Sequence, residues 1–166
     1  MQTDSTLTPG EVRRLFTYDP ETGELWWAVG KRGRQRGKPV GCKKESDYLA
    51  FYIGPRKLYV HRVVFCWMLG RWPEQVDHKN LDRGDNRWSN LREATSGQNK
   101  MNRMKRRDNT SGFKGIGWHK KNRRWRARIK AGGKCYELGC YASKEEAHAA
   151  YCKAAVILHG EFARLA

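Results

Sequence analysis

No run of about 18 apolar residues occurs in these 166 residues, so the sequence offers no helix able to span a bilayer. The first thirty residues lack the basic-then-apolar order of a secretory leader, and the chain reads as soluble and intracellular. There is no Cys-x-x-Cys pair, and the five cysteines (Cys42, Cys66, Cys135, Cys140 and Cys152) are an odd number. Without an export signal, free thiols are expected and not a disulfide framework. Cys135, Cys140, His148 and Cys152 follow one another in an order that zinc ligands can take. The first two lie in a stretch that reads as strand, and Cys152 lies in a helical run where a small half-buried residue serves, so zinc is not expected. Internal repeats and long low-complexity tracts are absent, which excludes a solenoid. Acid is scarce: 17 Asp and Glu stand against 34 Lys and Arg, a net charge of +17.

That excess points to a polyanionic partner, nucleic acid before a membrane surface. It is unevenly placed. Residues 105–166 hold 15 of the basic side chains and 5 of the acidic ones. A local excess reads as a binding face better than as a general aid to solubility.

Thr8-Pro9-Gly10-Glu11 has the form of a helix start, with Thr8 as N-cap, Pro9 first and Glu11 closing a capping box. Turn formers fill Tyr18 to Glu24, Leu25-Trp26-Trp27 reads as a strand, and Gly30 to Gly41 reads as a mobile basic loop. Tyr48–Ile53 and Lys57–Val60 flank Gly54-Pro55 as a hairpin. His61–Leu69 has helical spacing and ends before Gly70 and Pro73. Val76–Arg92 is polar and turn-rich, and 98–107 is a basic, potentially helical connector. Asn109–Gly112 has linker composition and marks a boundary. Beyond it, Phe113–Trp118, Arg124–Lys130 and Lys134–Tyr141 read as strands. Ser143-Lys144-Glu145-Glu146 is a capping box opening a helix to about His159.

The chemistry concentrates between 77 and 102. Asp77-His78 follows the apolar helix. Asn90 comes twelve residues after His78, and Asn99 nine after that. Phosphodiester hydrolysis needs an activated water and neutralisation of charge on the leaving oxygen. Imidazole titrates near neutrality and can take the water's proton. A hard divalent cation prefers carboxylate and amide oxygens, which Asp77 and Asn99 supply if the chain folds back through a hairpin into a helix.

His61-Arg62, Asp77-His78, Asp85-Asn86-Arg87, Asn90-Leu91-Arg92 and Gln98-Asn99 together resemble the HNH nucleases of phage and intron homing type. Leu15-Phe16 and Tyr18-Asp19-Pro20-Glu21-Thr22-Gly23 resemble the N-terminal part of such phage proteins. The resemblance implies a ββα-metal fold. It makes His78 the general base, Asp77 and Asn99 metal ligands, and Asn90 the residue that ties the hairpin loop and orients the histidine. Asn99 stands where other members have His, which favours Mg²⁺, or another hard cation such as Mn²⁺, over zinc. His61-Arg62 is either structural or turns Arg62 toward the scissile phosphate.

In the tail, Arg124, Arg126, Arg128 and Lys130 alternate with Trp125, Ala127 and Ile129. On a strand this separates a cationic face from an apolar one. The apolar face can pack on the Ala147–Leu158 helix. The cations repel by about 0.2–1 kcal/mol per close pair, which a polyanion would relieve. Phe113-Lys114-Gly115-Ile116, Trp125-x-Ala127-x-Ile129, Leu138-Gly139, Glu145-Glu146-Ala147, Ala149-Ala150-Tyr151, Ala154-Ala155 and His159-Gly160 resemble the Apetala and ethylene-response-factor DNA-binding domain. That domain lays a three-stranded sheet in the major groove. Lys114 stands where that family has an arginine, Gly117 where it has another, and Glu137 where it has a tryptophan, so docking mode carries over and sequence preference does not.

The expectation is an α+β chain in three parts. Residues 1–60 form a β-rich N-terminal region, 61–108 an HNH nuclease core with a basic connector, and 109–166 a three-stranded antiparallel sheet on one helix. The function expected is metal-dependent cleavage of duplex DNA in the cytoplasm of a phage's or mobile element's host, with no membrane and no small-molecule cofactor. Lys114, Arg124, Arg126, Arg128 and Lys130 are the candidate DNA contacts. A non-catalytic DNA-binding regulator is the alternative. RNA binding fits less well, because the sheet face is Arg-rich and not aromatic.

Overall fold

The computed structural model describes residues 7–31, 34–43, 47–103, 105 and 108–165. Parts of the expected loop 30–41 and connector 98–107 lie outside them. Contacts divide the chain into two compact units, Met1–Ala94 and Thr95–Ala166. The segment 95–108 therefore clusters with the C-terminal unit. Among the described residues no helix is long and apolar enough to cross a membrane.

The first unit opens with α1 (Pro9–Leu15). Thr8 accepts from the Glu11 amide, and the Glu11 carboxylate accepts from the Thr8 amide. Then come β1 (Phe16–Tyr18), β2 (Leu25–Trp27), β3 (Cys42–Lys43), β4 (Leu49–Ile53), β5 (Arg56–Tyr59) and α2 (Val60–Leu69). Gly70 ends α2 in the left-handed conformation, φ 68°, a position glycine takes at least cost. β6 (Gln75–His78) and β7 (Leu91–Ala94) close the unit as an antiparallel pair. β1 pairs with β2, and β3, β4 and β5 form a three-stranded sheet in that order.

The core gathers Val12 from α1, Phe16 and Trp27 from the first pair, Phe51 and Leu58 from the second sheet, and Val63 and Val64 from α2. Each such side chain contributes about 1.5–3 kcal/mol by leaving water. Trp67 Nε1 donates to the Phe16 carbonyl at 3.1 Å, joining α2 to β1. The turn after β1 reaches the loop between β6 and β7. Trp88 N donates to Pro20 O at 3.0 Å, and Gly23, at φ 77°, lies so close that a Cβ there would strike the backbone of Asn86 and Arg87. Only glycine fits such an approach.

The second unit contains α3 (Ser96–Met101), β8 (Ile116–His119), β9 (Arg124–Ala131), β10 (Lys134–Tyr141) and α4 (Lys144–His159). The strands are antiparallel with β9 in the middle, and a bulge interrupts β10 between Glu137 and Gly139. Ile116, Ala127 and Ile129 meet Ala147, Tyr151 and Ala155 of α4 in a separate small core. Ser143 caps α4 through the expected box with Glu146. β8 begins at Ile116 and not at Phe113. Gly112 and Gly115 both have positive φ, 83° and 76°, which breaks an extended strand. A Cβ at Gly115 would collide with the Tyr151 ring.

Candidate functional site

β6 and β7 place Asp77 opposite Arg92 and His78 opposite Leu91. Arg92 donates to Asp77 Oδ2 through Nε at 2.9 Å and Nη2 at 2.7 Å. Both side chains are nearly buried, 8% and 11% exposed. The pairing lies across the strands, so the hairpin register itself brings the two charges together.

The connecting loop is locked from within. Asn90 Oδ1 accepts from the Asn80 amide at 3.0 Å, and Asn90 Nδ2 donates to the Asp85 carbonyl at 2.8 Å. Asp85 receives Arg87 on both oxygens and Asn80 Nδ2 at 2.7 Å. These hydrogen bonds, that from Arg87 foremost, hold its carboxyl at about 2, below the ordinary carboxylate range.

His78 is 3% exposed. Its Nε2 lies 3.3 Å from Oδ1 of the buried Asn86. Asn86 Nδ2 donates to the Gly84 carbonyl at 3.2 Å, which sets the amide with its oxygen toward the ring. Nε2 is then the protonated nitrogen and Nδ1 the basic one. Burial holds the His78 pKa below the ordinary histidine value, against a raising influence from Asn86 and Asp77. His78 is thus neutral at neutral pH, as a proton acceptor must be. The ring sits in an aromatic nest. His61 meets it edge-on at 5.2 Å between centroids, and Tyr48 packs at 5.8 Å from His78 and 4.9 Å from His61.

Four of the residues and segments singled out in the sequence take the following places. Asn90 ties the loop, and Asn86 is the side chain whose amide oxygen faces His78 Nε2. In the sequence Asn86 stands in Asp85-Asn86-Arg87, one of the pieces that resemble the HNH nucleases, with no role of its own, and its orienting contact depends on how the loop closes. Arg62 Nη1 and Nη2 donate to the Glu74 and Pro73 carbonyls at 2.9 Å each. Its guanidinium braces the turn entering β6, the structural alternative and not the phosphate one. Lys114, expected at the DNA surface, is half-buried and donates to the carbonyls of Met101 and Arg103. Burial lowers its pKa to about 8. Within the basic stretch 30–41, expected to be a mobile loop, Gly37, Lys38 and Val40 are hydrogen-bonded to β2.

Asp77, His78 and Asn90 thus share one hairpin of the first unit, while Asn99 stands on α3 in the second. Among the described residues no group of three or more His, Cys, Asp and Glu side chains is placed to hold a metal. Asp77 and Asn99 each offer an oxygen donor, the kind that a hard cation such as Mg²⁺ takes. That ion keeps several waters and needs only one or two protein carboxylates.

On β9, Arg124, Arg128 and Lys130 are exposed and Arg126 is half-buried, alternating with buried Ala127, Ile129 and Ala131. The outward face pairs Arg124 with His119, Arg126 with Gly117 and Cys140, and Lys130 with Cys135. Glu137 opposes Arg128 at 3.9 Å. Both are about half exposed, so this acid offsets little of the positive field.

A family model described as HNH endonuclease matches residues 58–101. Protein 3.8 of Escherichia phage T7 is 32% identical over 123 residues, which are 72% of this chain and 97% of the phage protein. A solved structure entitled DNA binding and cleavage by the HNH homing endonuclease I-HmuI is similar at 20% identity and a TM-score of 0.40, covering 87% of this chain and 84% of that one.

Proposed function

The chain belongs to the family of phage T7 protein 3.8 and carries an HNH endonuclease domain, and from that premise we propose that it is a metal-dependent endonuclease acting on duplex DNA. The observation that carries this reading is the hairpin that sets a buried, neutral His78 beside Asp77 and fixes its tautomer through Asn86. Nδ1 of His78 takes a proton from the water that attacks phosphorus, the P–O bond to the leaving oxygen breaks, and the imidazolium is stabilised by Asn86 and Asp77. Asp77 and Asn99 would hold the divalent cation, Mg²⁺ or Mn²⁺, whose charge would neutralise that on the leaving oxygen. Asn90 positions the loop that carries these groups. In the C-terminal unit the face bearing Arg124, Arg126, Arg128 and Lys130 supplies DNA binding in the Apetala manner.

The test is nicking of supercoiled plasmid with Mg²⁺, with Mn²⁺ and with EDTA. Cleavage should need the metal, and His78→Ala should lose about 10²–10⁴-fold in rate, as for a removed general base, while still binding DNA. Cutting by His78→Ala at the parent rate, or cleavage indifferent to EDTA, would remove the assignment. A non-catalytic DNA-binding regulator is the second reading. It is favoured by the Asp77–Arg92 ion pair, which already satisfies charge on the proposed ligand. Binding without nicking under every metal condition would establish it.

A further inference from the structure

Segment 30–43 contains Lys31, Arg32, Arg34, Arg36, Lys38 and Lys43 and no acidic residue. The fold braces it. Val40 N donates to Leu25 O at 2.7 Å, Trp27 N to Lys38 O at 3.1 Å and Gly37 N to Trp27 O at 2.9 Å, which lays the returning limb along β2. Lys31 and Arg34 exchange backbone hydrogen bonds at 2.9 and 2.7 Å. The Arg34 guanidinium lies 4.8 Å from the ring centre of Trp27, a core residue. Lys31, Arg36 and Lys38 are exposed, and among the described residues none of the three has an ion-pair partner. The segment ends where Lys43 closes on the catalytic hairpin, its Cε 3.6 Å from where a Cβ would stand on Gly84.

A mobile loop could separate like charges by splaying. A ribbon hydrogen-bonded to a strand cannot, so the repulsion persists until an anion sits against it. We propose that this braced basic ribbon is a second DNA-contact surface, in the N-terminal unit, gripping backbone phosphates of the duplex that flank the cleaved bond. The proposal rests on the reading that the substrate is duplex DNA. Phosphates are favoured over base edges because two of the trio Lys31, Arg36 and Lys38 carry an ammonium, a point charge without a bidentate fork. An anionic membrane is a poorer fit, because segment 30–43 contains no Leu, Ile, Met or aromatic side chain to insert.

The full-length His78→Ala protein, expected to bind without cutting, is the background for the test. The trio Lys31→Ala, Arg36→Ala and Lys38→Ala is added, and binding to a labelled duplex is measured across a salt series. Each phosphate contact adds about 0.9 to the slope of log K against log salt, so the trio should flatten the slope by about 2–3, equally on target and scrambled duplex. The charge-keeping trio Lys31→Arg, Arg36→Lys and Lys38→Arg should retain the parent slope. An unchanged slope in the alanine trio overturns the proposal. So does equal loss in the charge-keeping trio, which would make the effect one of shape. Weakened binding to anionic-lipid vesicles with the DNA slope intact would reassign the ribbon to a membrane and overturn it too. If the His78→Ala background itself fails to bind duplex, the DNA reading falls and takes this proposal with it.

Discussion

His78 Nε2 faces Asn86 Oδ1 at 3.3 Å inside the loop between β6 and β7, and this contact leaves Nδ1 as the nitrogen that can take a proton. Burial keeps the pKa of His78 below the ordinary value of about 6.5. The acid limb of kcat/KM should therefore have its midpoint below pH 6.5, because activity is lost only when the neutral base becomes protonated. Asn86→Asp places a carboxylate beside the imidazolium and should move that limb upward. Asn86→Leu removes the acceptor and should move it downward, with a loss toward the about 10²-fold typical of a misplaced catalytic group. A limb that stays put in both variants would show that His78 is not the titrating base.

Asp77 and Arg92 form a nearly buried cross-strand pair. Arg92→Leu removes the guanidinium from a nearly buried carboxylate and should cost about 3–5 kcal/mol of stability. The double substitution Asp77→Leu with Arg92→Leu should cost less, since no lone charge remains. Denaturant midpoints for the parent, single and double variants read this directly. A single variant as stable as the parent would mean that the pair is solvated and idle.

Features set by short-range chemistry were legible in the sequence. The α1 and α4 starts follow from Thr8 with Glu11 and Ser143 with Glu146, and the β4–β5 hairpin follows from Gly54-Pro55 between two apolar runs. Asp77, His78 and Asn90 were legible as a candidate site because their spacing resembles a known motif, and they share one hairpin. What escaped depends on tertiary closure. Asn86 reaches His78 only because its loop folds back and Gly23 presses against it. Lys114 is basic and lies in a basic tail, yet carbonyls thirteen and eleven residues upstream capture its ammonium. The 30–41 segment is rich in glycine and charge, so nothing local announces that β2 offers it backbone partners.

His61 should make the protein sensitive to acid. It is buried, its Nδ1 has no hydrogen-bond partner, and burial first, then the charges of His78 and Arg62, hold its pKa well below the ordinary value. Above about pH 6.5 the histidine is neutral in both folded and unfolded chains, so its protonation does not change stability there. As pH falls below that value the unfolded chain binds a proton that the folded chain refuses, so stability declines. His61→Phe cannot take up that proton, and its denaturant midpoint should fall less steeply below pH 6.5. Parallel pH profiles for parent and variant would contradict this account.

The last prediction separates two kinds of lysine and arginine in the C-terminal unit. Arg128 is exposed on the outer face of β9 and Arg126 is half-buried there, and both alternate with residues packed against α4. Arginine against guanine is the usual specific contact and is worth about 1–3 kcal/mol. Arg126→Ala and Arg128→Ala should therefore relax the preference for target over scrambled duplex at a fixed salt concentration. Lys114→Met removes an ammonium that holds the Met101 and Arg103 carbonyls, so it should lower thermal stability and leave target preference unchanged. Lys144 sits at the start of α4, with its ammonium 6.0 Å from the Phe113 ring centre. Lys144→Ala should affect neither preference nor affinity appreciably. The four variants are compared by binding to both duplexes and by thermal unfolding. If Lys144→Ala and Arg128→Ala lose preference equally, the sheet face is not the reader. If Lys114→Met relaxes preference at full stability, its ammonium leaves those carbonyls to meet DNA.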